Sequence, residues 1–248
     1  MPSEPVVEWL VPLVGHHYDL EDFPLWLSEE RIQVVQRDGN FNLRIPAELV
    51  GGSHDPALAI AADYVQFMNG VGRLLYPEFR PASVSDRAFG LSADGTVINT
   101  VLSVQSGEIR MKGGVLRAQI GDQLVSDHRQ AAGAPFMRAA ASKLQARHAL
   151  ILMGKDHLSW SDLFLAFELV QSDVGDMMHT REWISKTQAG FFTATANSYS
   201  SLGLESRHGR DGGNPPPASP MKKGVADKLI RDLVRRWLMH LAAPTEIG

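Results

Sequence analysis

Near residue 134 the apolar residues of this chain take up helical spacing and keep it, and that change decides what the chain can become. Upstream, short apolar runs alternate with turn signals. Arg31–Gln36 and Phe41–Ile45 flank Arg37-Asp38-Gly39-Asn40, and Asp-Gly between two strand-like runs is a strong hairpin signal. Val84–Leu91 and Thr96–Val104 flank Ser92-Ala93-Asp94-Gly95, and Glu108–Met111 and Val115–Ile120 flank Lys112-Gly113-Gly114. Val6–Val14 is a further apolar run; Pro12, with no N–H for a ladder, predicts an edge or terminal strand. One helix interrupts. Asp55-Pro56 is a cap followed by proline at the first helical position, Leu58, Ala61, Val65, Met68 and Leu75 keep helical spacing, and Pro77 stops it. Residues 1–125 therefore predict an antiparallel, β-rich domain with one packed helix.

From residue 134 the spacing is helical to the end. Phe136, Ala140, Leu144, His148 and Ile151 share one face, with Gly154 as terminator. Ser159 caps a helix carrying Leu163, Phe167, Val170 and Val174. Ser185 or Thr187 caps a third, with Phe192, Ala196 and Tyr199 on one side, running to about Ser206. Ser219-Pro220 opens the last helix, in which Val225, Leu229, Leu233, Trp237 and Leu241 recur every four residues and Ile230, Val234 and Leu238 widen the stripe. Asp227–Arg231 and Asp232–Arg236 are i,i+4 pairs on its wet side. Four amphipathic helices bury their stripes most simply as a four-helix bundle, over residues 134–243. The fold class expected is α+β, with the boundary near residues 122–134.

Composition narrows the chemistry. The chain has no cysteine, which removes disulfides, thiolate nucleophiles and Cys-bound zinc. No apolar run approaches the roughly 20 residues that span a membrane, and the Met1-Pro2-Ser3-Glu4 start carries no signal-peptide pattern. A cytoplasmic protein without membrane contact is the expectation. The net charge of −4 is uneven: residues 1–80 hold 5 Lys/Arg against 12 Asp/Glu, whereas the rest holds 19 against 16. An anionic partner would meet the C-terminal half. His16 and His17, adjacent on a strand, would point to opposite faces, so no metal site is expected, and no phosphate-binding glycine loop or other cofactor motif is present.

Chemistry concentrates around one inter-helix loop. With the third helix ending near Ser206, Arg207 and His208 fall at its negative end, which favours cations. Arginine suits bidentate phosphate contact and histidine suits proton transfer. Lys222 and Lys223 sit in the first turn of the last helix, at its positive end, where cations are disfavoured. A local rule broken without visible compensation points to a site. With Arg210 they would frame an anion. His148, on the apolar face of the first helix, is either a core histidine or a partner turned towards Arg207 and His208. Glu168 would pair with Arg207 or a lysine.

The helical half resembles the HEPN superfamily of prokaryotic helical bundles. The resemblance rests on Trp160-Ser161-Asp162-Leu163 with Glu168, Trp183, Asn197, Arg207-His208-Gly209, Pro220-Met221 and the closing Leu233–Leu238 segment. Its ribonucleases carry an arginine, a polar residue and then a histidine several residues on, facing a twin motif across a dimer interface, and they cleave RNA without metal. Here Arg207 and His208 match the first two positions, but Asp211, Gly212 and Gly213 stand where the later histidine belongs. The resemblance implies a homodimer formed through the bundle, in a bacterial defence or toxin–antitoxin type of system. RNA or a nucleotide would bind at Arg207, His208, Arg210, Lys222, Lys223, Asn197 and Glu168. With the second histidine missing, the expectation leans towards binding without catalysis. An atypical metal-independent ribonuclease built on Arg207, His208 and His148 is the enzymatic form. The alternative is an interaction or scaffold protein that meets a protein partner through the acidic N-terminal domain.

Overall fold

The computed structural model describes residues 5–28, 30–50, 55–102, 132–211 and 216–243. The expected third hairpin, at 108–120, lies outside them. The protein is α+β: an antiparallel sheet near the N-terminus and helices thereafter. Two compact units divide the chain, one formed by residues 1–63 and 82–132, the other by 64–81 and 133–248.

In the first unit, strands β1 (Glu8–Val14), β2 (Gln33–Arg37), β3 (Asn40–Pro46), β4 (Ser83–Val84), β5 (Arg87–Leu91) and β6 (Val97–Leu102) pair in the order β2-β3-β1-β5-β6, with β4 on the end of β1. All described pairings are antiparallel. Period-2 alternation places Trp9, Val11, Phe41, Leu43, Ile45 and Ala88 on one buried face. Two short helices, α1 (His17–Leu20) and α2 (Phe23–Trp26), add Leu20, Phe23 and Trp26 to this core. The β2–β3 hairpin turns on Asp38 and Gly39, both at positive φ (51° and 78°), the two-residue turn that Asp-Gly predicts. Despite Pro12, β1 is central rather than an edge. Its pairing with β5 ends at Leu10 and that with β4 begins at Leu13; between them the Pro12 carbonyl accepts from the Ser85 N–H at 2.8 Å, and the strand passes without needing an N–H from residue 12. His16 and His17 lie at the start of α1 rather than on a strand, each beside its own carboxylate, Asp19 and Glu21.

Helix α3 (Asp55–Leu75) belongs to both units, and its residues from Tyr64 onward are part of the second. Residues 67–72 are buried without interruption. A Cβ at Gly70 would stand 2.1 Å from the Leu150 carbonyl oxygen, so glycine is what allows that backbone approach.

The rest of the second unit is helical: α4 (Ala134–Ser142), α5 (Leu144–Met153), α6 (Trp160–Val174), α7 (Met177–Thr180), α8 (Lys186–Ala196), α9 (Tyr199–Leu202) and α10 (Lys223–Ala242). Helix α10 packs on α4, α5 and α6 through Ala226, Ile230, Leu233, Val234, Trp237 and Leu238. Val225 is exposed, so the true stripe is rotated from the expected one. The Trp237 indole donates to Asp173 at 2.7 Å, and Lys143 pairs with the same carboxylate. The expected first bundle helix is two helices. Lys143 is extended (φ −142°, ψ 121°) and breaks the run. The break also changes the phase of the second piece, leaving Leu144 and His148 exposed while Ala146, Ala149, Leu150 and Met153 face inward. Capping boxes start α6 at Ser159 with Asp162 and α8 at Ser185 with Gln188. Burial pushes the Asp162 carboxyl up, but Lys155 at 2.7 Å and the Ser159 hydroxyl and N–H outweigh it and hold it below the usual range. No helix among the described residues is long and apolar enough to cross a membrane.

Candidate functional site

The segment between α8 and α10 is not laid out as its sequence predicts. Helix α8 stops at Ala196, with Asn197 as its C-cap, ten residues before the expected end. Ser198 then starts the short α9 by accepting from the Ser201 N–H, and Gly203 (φ 57°, ψ −129°) turns the chain where a side chain would be strained. Arg207 and His208 therefore do not follow the last turn of α8 in sequence. The loop instead folds back on it: the Arg207 N–H donates to the Ala196 carbonyl at 2.9 Å. One orphan carbonyl of α8 is thus satisfied by the backbone of the residue expected to cap it with charge.

The far end of the loop is tied down as well. The Asp211 carboxylate accepts from the Ser200 N–H at 3.0 and 3.2 Å and from the Ser198 hydroxyl at 3.2 Å. The Ser200 N–H above all, with the serine hydroxyls, holds this carboxyl below its ordinary range. Residues 207–211 form a loop fastened at both ends, with His208, Gly209 and Arg210 exposed between the fastenings. Asp211, which sequence reasoning treated only as the place of a missing histidine, is one of those fastenings.

Below the loop, α6 presents a ridge of Trp160, Phe164 and Glu168 at four-residue spacing. Phe192 of α8 packs on the first two rings with centroids 6.1 Å away, and on Phe167 at 5.6 Å. Arg207 lies on this ridge. Its guanidinium carbon is 4.0 Å from the Phe164 ring centre, and its Nη2 is 3.2 Å from Glu168 Oε1. Phe164 is 6 % exposed, while the Arg207 and Glu168 side chains are 34 % and 42 % exposed. The pair sits at the border of the core, with the cation resting on an aromatic wall.

Helix α10 does not open at Ser219-Pro220. Met221 is buried and its N–H donates to the Thr195 hydroxyl at 3.1 Å, which keeps the chain extended until Lys222, the N-cap, and Lys223, the first helical residue. The two lysines differ. Lys223 places its ammonium 5.6 Å from the centre of the Trp160 ring, which offsets its unfavourable position at the helix start. Lys222 is exposed. Much of the remaining basic stripe of α10 is used internally. Arg231 bonds Asp227 at 2.8 Å and the Met153 carbonyl at 3.3 Å. Arg236 donates to the Glu182 carbonyl at 3.0 Å rather than pairing with Asp232.

The structure thus brings Arg207, Glu168 and Lys223 to one aromatic ridge, and holds His208 and Arg210 on the loop above its own helix end. It does not bring His148 to them: that side chain is exposed on α5, and it forms no hydrogen bond or ion pair with a described residue. His208 is likewise exposed, and among the described residues its imidazole has no hydrogen-bond or ion-pair partner. Asn197 is half-buried, and its side-chain oxygen accepts no hydrogen bond among the described residues. Phe164, the ring that seats Arg207, was not anticipated; its i−4 spacing from Glu168 was the available signal. Among the described residues no group of three or more His, Asp or Glu is placed to hold a metal ion. A separate hollow of about 250 Å³ opens on the sheet face of the first unit, lined among others by Leu10, Asn42, Phe89 and Val97.

No family model matches the chain, and neither does any curated protein or solved structure.

Proposed function

We propose that the second unit is a HEPN-like module that binds RNA or a nucleotide at the 207–211 loop without cleaving it. In this reading it works as a homodimer, within a bacterial defence or toxin–antitoxin type of system. The observation that carries the binding reading is the doubly fastened loop: Arg207 N–H to Ala196 on one side, Asp211 to Ser200 on the other, with Arg210 and His208 displayed between. A fixed loop loses little conformational entropy when it meets a ligand. Arg210 and Lys222 supply exposed cations, and arginine takes phosphate as a fork.

The same geometry supports binding without cleavage. General acid–base work needs a second titratable group within hydrogen-bond reach. His148 is exposed on α5, away from the loop, and Asp211 is committed to the Ser200 N–H and the Ser198 hydroxyl.

Fluorescence anisotropy with a short single-stranded RNA and the full chain tests the reading. Binding should weaken linearly in log–log terms as salt rises, and Arg210→Ala should flatten that slope by about 0.7. Absence of binding at low salt overturns it. Hydrolysis of the RNA by wild type that is lost in His208→Ala restores the ribonuclease reading. Light scattering at micromolar concentration checks the dimer.

The alternative, a protein partner on the N-terminal unit, is favoured by the hollow on the sheet face. It predicts that Phe89→Ala, at the hollow, abolishes partner binding while leaving RNA affinity unchanged.

A further inference from the structure

Helix α6 engages Arg207 twice, through residues four apart. Phe164 lies under the guanidinium at 4.0 Å, and Glu168 Oε1 stands 3.2 Å from Nη2 as an ion pair. The ring is almost fully buried and cannot leave. The carboxylate is nearly half exposed and can. A carboxylate and a phosphate present similar pairs of oxygens to a guanidinium fork. Glu168 therefore occupies, on Arg207, the place a ligand phosphate would take.

We propose that Glu168 is a built-in competitor at this site, and that phosphate binds by displacing it from Arg207 while Phe164 keeps the guanidinium in place. This rests on reading the 207–211 loop as an RNA or nucleotide site. Three features make the exchange feasible. The Arg207 backbone is fixed by its bond to Ala196, so only side chains need to move. A half-exposed ion pair is weak in water, so an incoming anion has little to overcome. The stacked ring orients the fork before and after exchange, so the released cation does not collapse into solvent. Glu168 thereby sets specificity: a single weak anion is kept out, and a ligand with several linked phosphates, gripped also by Arg210 and Lys222, gets in.

Wild type and Glu168→Gln of the full chain are compared with two probes. The first is a short fluorescein-labelled single-stranded RNA read by anisotropy over a salt series. The second is inorganic phosphate, read on the Arg207 Nε–Hε resonance and assigned by its loss in Arg207→Lys. Glu168→Gln should bind RNA about two- to fivefold more tightly. Its salt slope should match that of wild type, because the same phosphate is neutralised in both. The Arg207 resonance should respond to phosphate at lower concentration than in wild type. If wild type binds RNA and the variant binds equally or more weakly, Glu168 is no competitor, and the RNA reading stands. If neither binds RNA yet phosphate moves the Arg207 resonance more readily in the variant, the RNA reading falls and the exchange stands. A resonance unmoved by phosphate in both proteins overturns the exchange.

Discussion

Two aspartates in this chain perform one task at very different sequence range. Asp94 closes the β5–β6 turn by accepting from the Ser92 hydroxyl and from the Thr96 N–H at 3.0 Å, each two residues away. Asp211 fastens the loop above α8 by accepting from the Ser200 N–H at 3.0 Å and the Ser198 hydroxyl at 3.2 Å, eleven and thirteen residues upstream. Each is stabilised as a carboxylate, and Asp94 is held down to about 2 by Ser92 and Thr96. The difference lies in what surrounds them. Asp94 belongs to a turn that its neighbours would form without it. Asp211 gathers a segment with little regular structure, supported otherwise by the Ser198 cap, the Ser206 bonds to the Gly203 and His208 carbonyls, and Arg207, bonded to Ala196 and resting on Phe164 and Glu168. The near contact decorates a structure, and the far one makes it.

This contrast predicts unequal damage. The largest loss is expected from Gly203→Ala, whose φ of 57° with ψ −129° suits almost no side chain; about 1–3 kcal/mol of stability should go. Gly95→Ala, at φ 82° in the local turn, should cost less, about 1 kcal/mol. Chemical denaturation of both variants checks the order, and a reversal would break the comparison. Ser198→Ala removes a buried cap of α9 and one donor to Asp211, and should cost about 1 kcal/mol. The smallest effect is the acid limb. Both carboxyls titrate lower folded than unfolded, so each contribution is complete above the unfolded value of 3.8 and fades as pH falls, for Asp94 through about 2. NMR titration of the side-chain carboxyl carbons follows this directly. Asp211→Asn should speed amide exchange at Ser200 and at the loop as a group, whereas Asp94→Asn should speed it at Thr96 alone.

The same contrast separates what could be read in the sequence from what could not. The Asp38-Gly39 hairpin, the Ser159 and Ser185 caps and the Asp227–Arg231 pair are all short-range, and each stands where its residues place it. Lys143 gave no warning, because lysine is a good helix former. Its extended backbone goes with an ion pair to Asp173, thirty residues on. The late start of α10 was hidden for the same reason: Met221 is pinned by Thr195 twenty-six residues upstream, overriding the Ser-Pro signal. At the candidate site, the Glu168–Arg207 pairing was legible as one of two possibilities. The ring beneath it and the role of Asp211 were not, since both depend on how far α8 extends. His148 was misplaced by a helix break that no local feature announces.

Helix α3 carries a consequence for how the protein is made. Its later residues meet partners far downstream: Phe67 lies under Arg147 at 4.5 Å, and Arg73 pairs with Asp156, 83 residues further on. At about 5–20 residues per second, a ribosome delivers that partner roughly 4–17 s after the helix. For those seconds Phe67 and Arg73 of the nascent chain are without these partners. Synonymous changes that slow translation between residues 81 and 144 should therefore lower soluble yield without altering a single atom of the product.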